Sequence, residues 1–278
     1  MEMIKIPIGK VIEVAIDLFA EHFSFITKAF SEVTENGIRV LVDTMMFFPP
    51  WVLLLIFTGI AWYISRRRGV ALLTLIGFSL IWNMGLWAPT ISTIALVLIS
   101  TLIAIIVGIP LGIMAALYQS AYRIIMPILD FMQTMPAFVY LIPAIPFFGL
   151  GPVGAIFSTV IFSMPPAIRL TCLGIRQVPG DLIEAADSFG SSKSQKLFKL
   201  QLPMAKPTIM AGVNQTIMLA LSMVVIAAMI GAKGLGGEVW KAIQRLQPDK
   251  GFEAGIAIVI VAMVLDRIMQ RVAGKEHK

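Results

Sequence analysis

Runs of about twenty apolar residues, each long enough to cross the hydrocarbon core of a bilayer as a helix, recur along this chain. From Gly69 to Tyr122 not one Asp, Glu, Lys or Arg interrupts them. Burying such runs in water would require a polar shell that this chain lacks. Of its 278 residues 58% are apolar and 14% charged, where a soluble domain carries about a quarter charged. The chain is therefore expected to be an all-α integral membrane protein. Spans are expected at 45–65, 69–87, 90–118, 124–149, 153–170, 207–232 and 252–268, about seven in all. Pro136, Pro143, Pro146 and Pro152 crowd the fourth and fifth, where a re-entrant hairpin would give the same pattern.

Charge supplies the orientation. If the side bearing Arg66, Arg67 and Arg68 is cytoplasmic, it also collects Arg123, Arg169, Arg176, Lys193, Lys196, Lys199, Lys206, Arg267, Arg271, Lys275 and Lys278. The positive-inside rule then places the N-terminus outside and the C-terminus inside, and makes residues 171–206 the principal cytoplasmic loop. Residues 1–43 are net acidic. There Glu13, Asp17 and Glu21 lie opposite Val11, Val14, Ala15, Leu18 and Phe19, the pattern of an amphipathic helix on the outer membrane surface or against the protein body. Met1–Pro7 has no signal-peptide pattern, so the N-terminus is expected to be retained. The organisation expected is an extracytoplasmic segment 1–43, a transmembrane domain 44–272 and a cytoplasmic tail 273–278. The basic residues sit at membrane edges, where topology accounts for them without nucleic acid.

Several chemistries are excluded. A lone cysteine, Cys172, and two histidines, His22 and His277, at opposite ends provide neither a disulfide framework nor a metal centre, and no nucleophile–base set. No catalytic residue and no metal ligand is expected. Gly149-Leu-Gly-Pro-Val-Gly154 matches a dinucleotide fingerprint in letters only, since no strand precedes it; it reads as a turn. Gly231-Ala-Lys-Gly-Leu-Gly-Gly237 lacks the Lys-Ser/Thr of a P-loop. Gly108 and Gly112 are a small-xxx-small pair suited to close packing within the bundle. Asp130, Glu253 and Asp266 fall in or near spans, where a carboxylate is costly. Each is expected to serve a structural ion pair, Asp266 with Arg267 or Arg271.

The most informative stretch is Gln177 to Pro203. Asp181 and Glu184 have capping-box spacing, so a short helix is expected from Leu182, stopping at Gly190. Ser192 and Gln195 repeat the box, and a second helix is expected from Lys193 to Leu200, ended by Pro203. The product is a helix–glycine–helix elbow with Ala185, Ala186 and Phe189 on one side, the kind of face that docks a partner.

Within this elbow Glu184-Ala185-Ala186, then Gly190, then Leu200-x-Leu202-Pro203 match in type and spacing the EAA motif of bacterial ABC importer permeases, with Leu200 where the motif has Ile. Leu129–Tyr140, Pro165–Leu170, Gly174–Pro179, Asn214–Met218, Ala220–Gly231 and Gly251–Gly255 further resemble the permease of the glycine betaine/proline importers. The likeness runs over about 45–272 and is densest from 124 to 267. It implies a type I ABC importer permease fold with a cytoplasmic coupling helix, a homodimer in the bacterial inner membrane, two cytoplasmic ATPase subunits and an extracytoplasmic binding protein. It implies that Asp181, Glu184, Ala185, Ala186, Phe189, Gly190, Leu200, Leu202 and Pro203 form the ATPase-coupling surface. No cofactor is expected in this chain, ATP and Mg belonging to the ATPase. Prolines 110, 136, 143 and 146 are candidate hinges or simple kinks.

The substrate is less legible. A quaternary ammonium favours aromatic faces, but Phe131, Phe138 and Tyr140 do not share one face of a helix, so they build no cage. Tyr140, Asn214, Gln215 and Ser222 are the candidate pathway residues. Choline, carnitine or another small amine is the alternative cargo. A secondary transporter is the alternative class, and would need paired midmembrane ionisable residues.

Overall fold

The structure, a computed structural model, describes residues 24–272 together with Lys10, Leu18 and His22. Every regular element among the described residues is helical. Helix α1 (Ser24–Phe47) is followed after Phe48 and Pro49 by α2 (Pro50–Ser65), bent from it by 106°. Proline fixes this break: Pro49 sits at φ −56°, ψ 147°, outside the helical region. The helix expected at 45–65 therefore starts at Pro50. Residues 43 and 44 both lie inside α1, and the amphipathic pattern of residues 11–21 falls outside the described residues apart from Leu18.

Helix α1 lies against α4 (Trp87–Leu117), α6 (Leu141–Phe148) and α7 (Pro152–Ser163), with the Phe30 ring centre 5.4 Å from that of Phe148 and tilted to it by 56°. Helices α2 and α3 (Arg68–Asn83) form a short pair of 16 residues each. Their exposed faces carry Trp51, Leu55, Trp62, Tyr63, Leu72, Ile76 and Trp82. Aromatic residues at the ends with aliphatic ones between are what a lipid-facing pair presents.

Three helices make the centre. They are α4, the continuous rod of α7 and α8 (Pro165–Arg176), and the rod that ends in α11 (Leu202–Ala227). Each is long and apolar enough to span a membrane, and two further spans follow if each sharply bent helix pair counts as one. The buried core runs along them through Ile91, Val97, Ile156, Met223 and Val224. Small residues permit this closeness. A Cβ on Gly112 would lie 2.6 Å from both the Ile168 carbonyl oxygen and Thr171 Cβ, and one on Gly108 would lie 3.0 Å from Ala167 Cβ. The glycine pair of α4 thus packs inside the bundle, as its spacing predicts.

The span expected at 124–149 is broken. Helix α5 (Gln119–Thr134) and the segment Ala137–Phe148 are bent by 113°, with Met135 extended before Pro136. The proline pattern also allowed a re-entrant hairpin, but the segment starts beside the elbow end of α4 and finishes where the Gly151 N–H meets the Ile230 carbonyl at the opposite end of the bundle, so it is a bent path from one end to the other. Helix α9 (Gly180–Ser188) and α10 (Lys193–Lys196) form the elbow, and α12 (Leu235–Gln244) packs beside the final helix α13 (Pro248–Val272).

Candidate functional site

The elbow begins one turn after α8. Pro179 occupies the N-cap at φ −53°, ψ 134°, so α9 starts at Gly180 and not at Leu182. The box expected between Asp181 and Glu184 does not form, because Asp181 already lies in the first helical turn, and neither side chain caps the helix. Its carboxylate there faces the positive end of the helix dipole. At the other end Gly190 takes φ +72°, its N–H donates to the Asp187 carbonyl at 2.9 Å, and the Ser191 N–H donates to the Ala186 carbonyl at 3.0 Å. Those two bonds are the Schellman pattern, which favours glycine at the left-handed position. The second capping box is complete: the Gln195 N–H donates to Ser192 Oγ, and the Ser192 N–H to Gln195 Oε1.

Helix α9 buries none of its residues. Leu182, Ala185 and Phe189 share one face, and Phe189 is 91% exposed. Glu184 and Asp181 are exposed, while Ala186 is half-buried. Lys196 pairs with Asp187 and ties the two arms of the elbow together.

Beyond Lys196 the structure departs from the sequence pattern. Pro203 does not end the second helix. A π turn over Leu197–Gln201 changes the hydrogen-bond register, and α11 begins at Leu202 with Pro203 in its first turn, where a missing N–H is tolerated. Lys193 to Ile230 is one helical rod of 38 residues. Leu200 and Leu202 are half-buried along it and Pro203 is exposed. At the base of this rod Leu197 packs with Ile175 and Ala205 in a small separate core, flanked by Ile113, Ala116, Leu202 and Ile209. This core joins the elbow to the ends of α4 and α8. Arg176 completes the junction by donating to Gln119 Oε1 at 2.7 Å while its guanidinium lies 4.0 Å from the Tyr122 ring centre.

The four pathway candidates do not converge. Tyr140 is buried, packs edge-on against Phe162 at 5.8 Å, and donates its hydroxyl to the Met132 carbonyl across the bend. Asn214 faces α13 and donates to Asp266 Oδ1 at 3.0 Å. Gln215 and Ser222 are exposed on one open face of α11, where Ser222 bonds the Met218 carbonyl. Phe131 and Phe138 are exposed.

The carboxylates divide likewise. Asp130 takes Arg169 at 2.5 Å, the expected ion pair. Asp266 takes Asn214 and Gln270 instead of Arg267 or Arg271. Neither arginine is its partner, since α13 aims the carboxylate toward α11, where Asn214 donates, and Gln270 one turn along α13 donates to its other oxygen. Glu253 lines a cavity with Glu238, Arg245 and Lys250 and shows no ion pair among the described residues.

At the end of the bundle opposite the elbow, the glycine-rich segment that follows α11 is a tight loop. Gly231 and Gly234 have φ +91° and +139°. The Leu235 N–H donates to Thr93 Oγ1 at 2.8 Å, pinning the loop to α4, and the Gly151 N–H donates to the Ile230 carbonyl. A Cβ on Gly234 would lie 2.6 Å from Thr93 Oγ1. Beside the loop is a cavity of about 480 Å³ lined by Ser92, Lys233, Glu238, Trp240 and Lys241. Sequence reasoning missed it. The visible signal was a tryptophan and a lysine in a short helix that opens on glycines, with a second lysine in the loop before it.

Two comparisons place this architecture. The fold resembles that of a chain in the inward-facing MetNI methionine ABC transporter, with a TM-score of 0.62 at 19% identity, covering 75% of this chain and 98% of that one. The two chains thus share an all-helical fold. Residues 108–275 match the family described as "Binding-protein-dependent transport system inner membrane component", and the chain belongs to that family. It is 52% identical over 98% of its length, and 96% of the relative's, to the glycine betaine transport system permease protein OpuAB of Bacillus subtilis. It is also 52% identical to the glycine betaine/carnitine transport permease protein GbuB of Listeria monocytogenes, over 87% of this chain and 89% of that one. The chain is accordingly the non-catalytic, multi-pass inner-membrane subunit of an ABC transporter, and membership of this family implies an ATPase and a binding protein as partners.

Proposed function

We propose that this subunit imports glycine betaine and proline-type compatible solutes delivered by an extracytoplasmic binding protein. The observation that carries this reading is full-length identity of 52% with a permease described as a glycine betaine transporter. A relative described for glycine betaine and carnitine at the same identity makes carnitine the second cargo to test.

In this reading the elbow is the ATPase-coupling surface. Leu182, Ala185 and Phe189 supply an uncovered apolar face, Asp181 and Glu184 an acidic edge, and Gly190 the turn that presents both. Leu200, Leu202 and Pro203 lead from this face into the rod. Two ATPase subunits hold the ATP and Mg, and two copies of this chain form the membrane unit, with the open face of α11 around Gln215 and Ser222 turned inward. Seven crossings follow if α2, α3, α4, the bent segment 119–148, the rod α7–α8, α11 and α13 each cross once. That count puts Arg66, Arg67, Arg68, the elbow and Arg271 on one side, the cytoplasmic one, with the N-terminal segment outside. Transport is then a shift between outward-open and inward-open states driven by nucleotide in the partner.

The test is reconstitution with the ATPase and binding protein in proteoliposomes, followed by uptake of labelled glycine betaine, proline, carnitine and choline. ATP-dependent glycine betaine uptake is expected. If none of the four solutes is taken up or stimulates ATP hydrolysis, the assignment of cargo fails.

A further inference from the structure

The cavity beside the Gly231–Gly237 loop has a chemical character that nothing in the coupling machinery requires. Its volume, about 480 Å³, lies in the range of small-molecule sites. The indole of Trp240, half-buried, lines it, and so do three charged side chains. Two of these cancel: Lys241 Nζ lies 2.8 Å from Glu238 Oε1. The third, Lys233, has no carboxylate within ion-pair distance among the described residues. Lys233 also borders an adjoining cavity of about 350 Å³, where Glu35, Arg39 and Asp43 of α1 are the charged lining. An aromatic side chain and an ammonium with no ion pair among the described residues, lining one cavity, are a two-ended arrangement. The face attracts a soft cation, and the ammonium attracts a carboxylate.

We infer that this cavity is a receiving site for a zwitterion that carries a quaternary ammonium at one end and a carboxylate at the other, the former over Trp240 and the latter on Lys233. The inference deepens the proposed import function and rests on it. The site is built and not incidental, because the loop bearing Lys233 is fixed by the Leu235–Thr93 bond and by glycines that admit no side chain. It discriminates by repulsion as well as attraction. A cation without a carboxylate meets the field of Lys233 and brings no group to pair with it, whereas a zwitterion satisfies both ends. A single indole is not a closed cage, so binding is weak, as a solute in transit requires.

The test uses the assembled permease–ATPase complex in nanodiscs without binding protein, and reads magnetisation transfer from protein to the N-methyl protons of glycine betaine and of choline. Transfer to glycine betaine exceeding that to choline is expected. Trp240→Ala should weaken the glycine betaine signal by about fivefold, the scale of one cation–π contact, and Trp240→Phe should restore most of it. Lys233→Gln should erase the preference for glycine betaine over choline. Variants are compared only where the complex elutes and melts like the unaltered one, and Trp240→Phe guards against misfolding as the cause of loss. Absence of transfer in the unaltered complex, or titrations of Trp240→Ala and Lys233→Gln that overlay it, would overturn the site. Uptake of glycine betaine by the complete importer, measured alongside, separates the two readings. No uptake defeats the proposed cargo, whereas normal uptake with unaffected variants defeats the receiving site alone.

Discussion

Replacing Gly112 by Ala probes the central packing at its tightest point. The new methyl would lie 2.6 Å from the Ile168 carbonyl oxygen and 2.6 Å from Thr171 Cβ. A backbone oxygen on a buried helix cannot swing aside, so α4 and α8 must separate by several tenths of an ångström along their contact. Overpacking of this kind costs about 1–3 kcal/mol. Against it stands the helix preference of Ala over Gly, about 1 kcal/mol, leaving a net loss of up to about 2 kcal/mol. Gly59 is the matched control. It lies on an exposed face of α2 with nothing within 4 Å of where a Cβ would stand, so Gly59→Ala should gain about 0.5–1 kcal/mol. The two substitutions, identical in chemistry, should move the thermal midpoint of the purified permease in opposite directions. Equal midpoints would refute the close approach of α4 and α8. A change of oligomeric state for Gly112→Ala, without loss of stability, would instead place that glycine face against another subunit.

Three further outcomes follow from local geometry. Gly190→Ala should strain the left-handed turn by about 1 kcal/mol, and Gly190→Asp or Glu184→Lys should reduce co-purification of the ATPase while the permease still inserts; unchanged co-purification would remove the elbow from the coupling surface. Tyr140→Phe deletes the hydrogen bond to the Met132 carbonyl and should lower stability by about 1 kcal/mol, measured by thermal unfolding, with no change meaning that the bend is held by packing alone. Asn214→Leu leaves Asp266 with Gln270 as its remaining amide donor and should cost about 1.5–3 kcal/mol; a double-mutant cycle with Asp266→Asn that shows no coupling would contradict the contact.

Where the sequence was informative, it was because one physical rule dominated. Apolar length decided α4, expected at 90–118 and found at Trp87–Leu117. Glycine at the left-handed position decided the stop of α9 at Gly190, and Ser192 with Gln195 decided the start of α10. Where two rules competed, the weaker reading won. Pro203 looked like a terminator, but a π turn just before it absorbed the missing donor. Asp181 looked like a cap, but Pro179 had already taken that position. Asp266 had charged neighbours in sequence at 267 and 271, yet helix geometry turned it toward the amide of Asn214 on α11 and that of Gln270 one turn along its own helix. Trp240 and Lys233 became visible as a pair only in three dimensions, because a loop and a short helix that read as featureless fold around one cavity.

The uninterrupted path from Lys193 to Ile230 has a mechanical consequence. At 1.5 Å per residue, its 38 residues form a lever arm of about 57 Å. Rocking such an arm by about 5° about one end sweeps the other through about 5 Å, close to one helical pitch. The elbow sits at one tip and the Gly231 loop at the other, so a push on the elbow arm reaches the far end of the bundle as leverage, with no relay of side chains between. The π turn at Leu197–Gln201, where the backbone register slips, lies close to the driven tip.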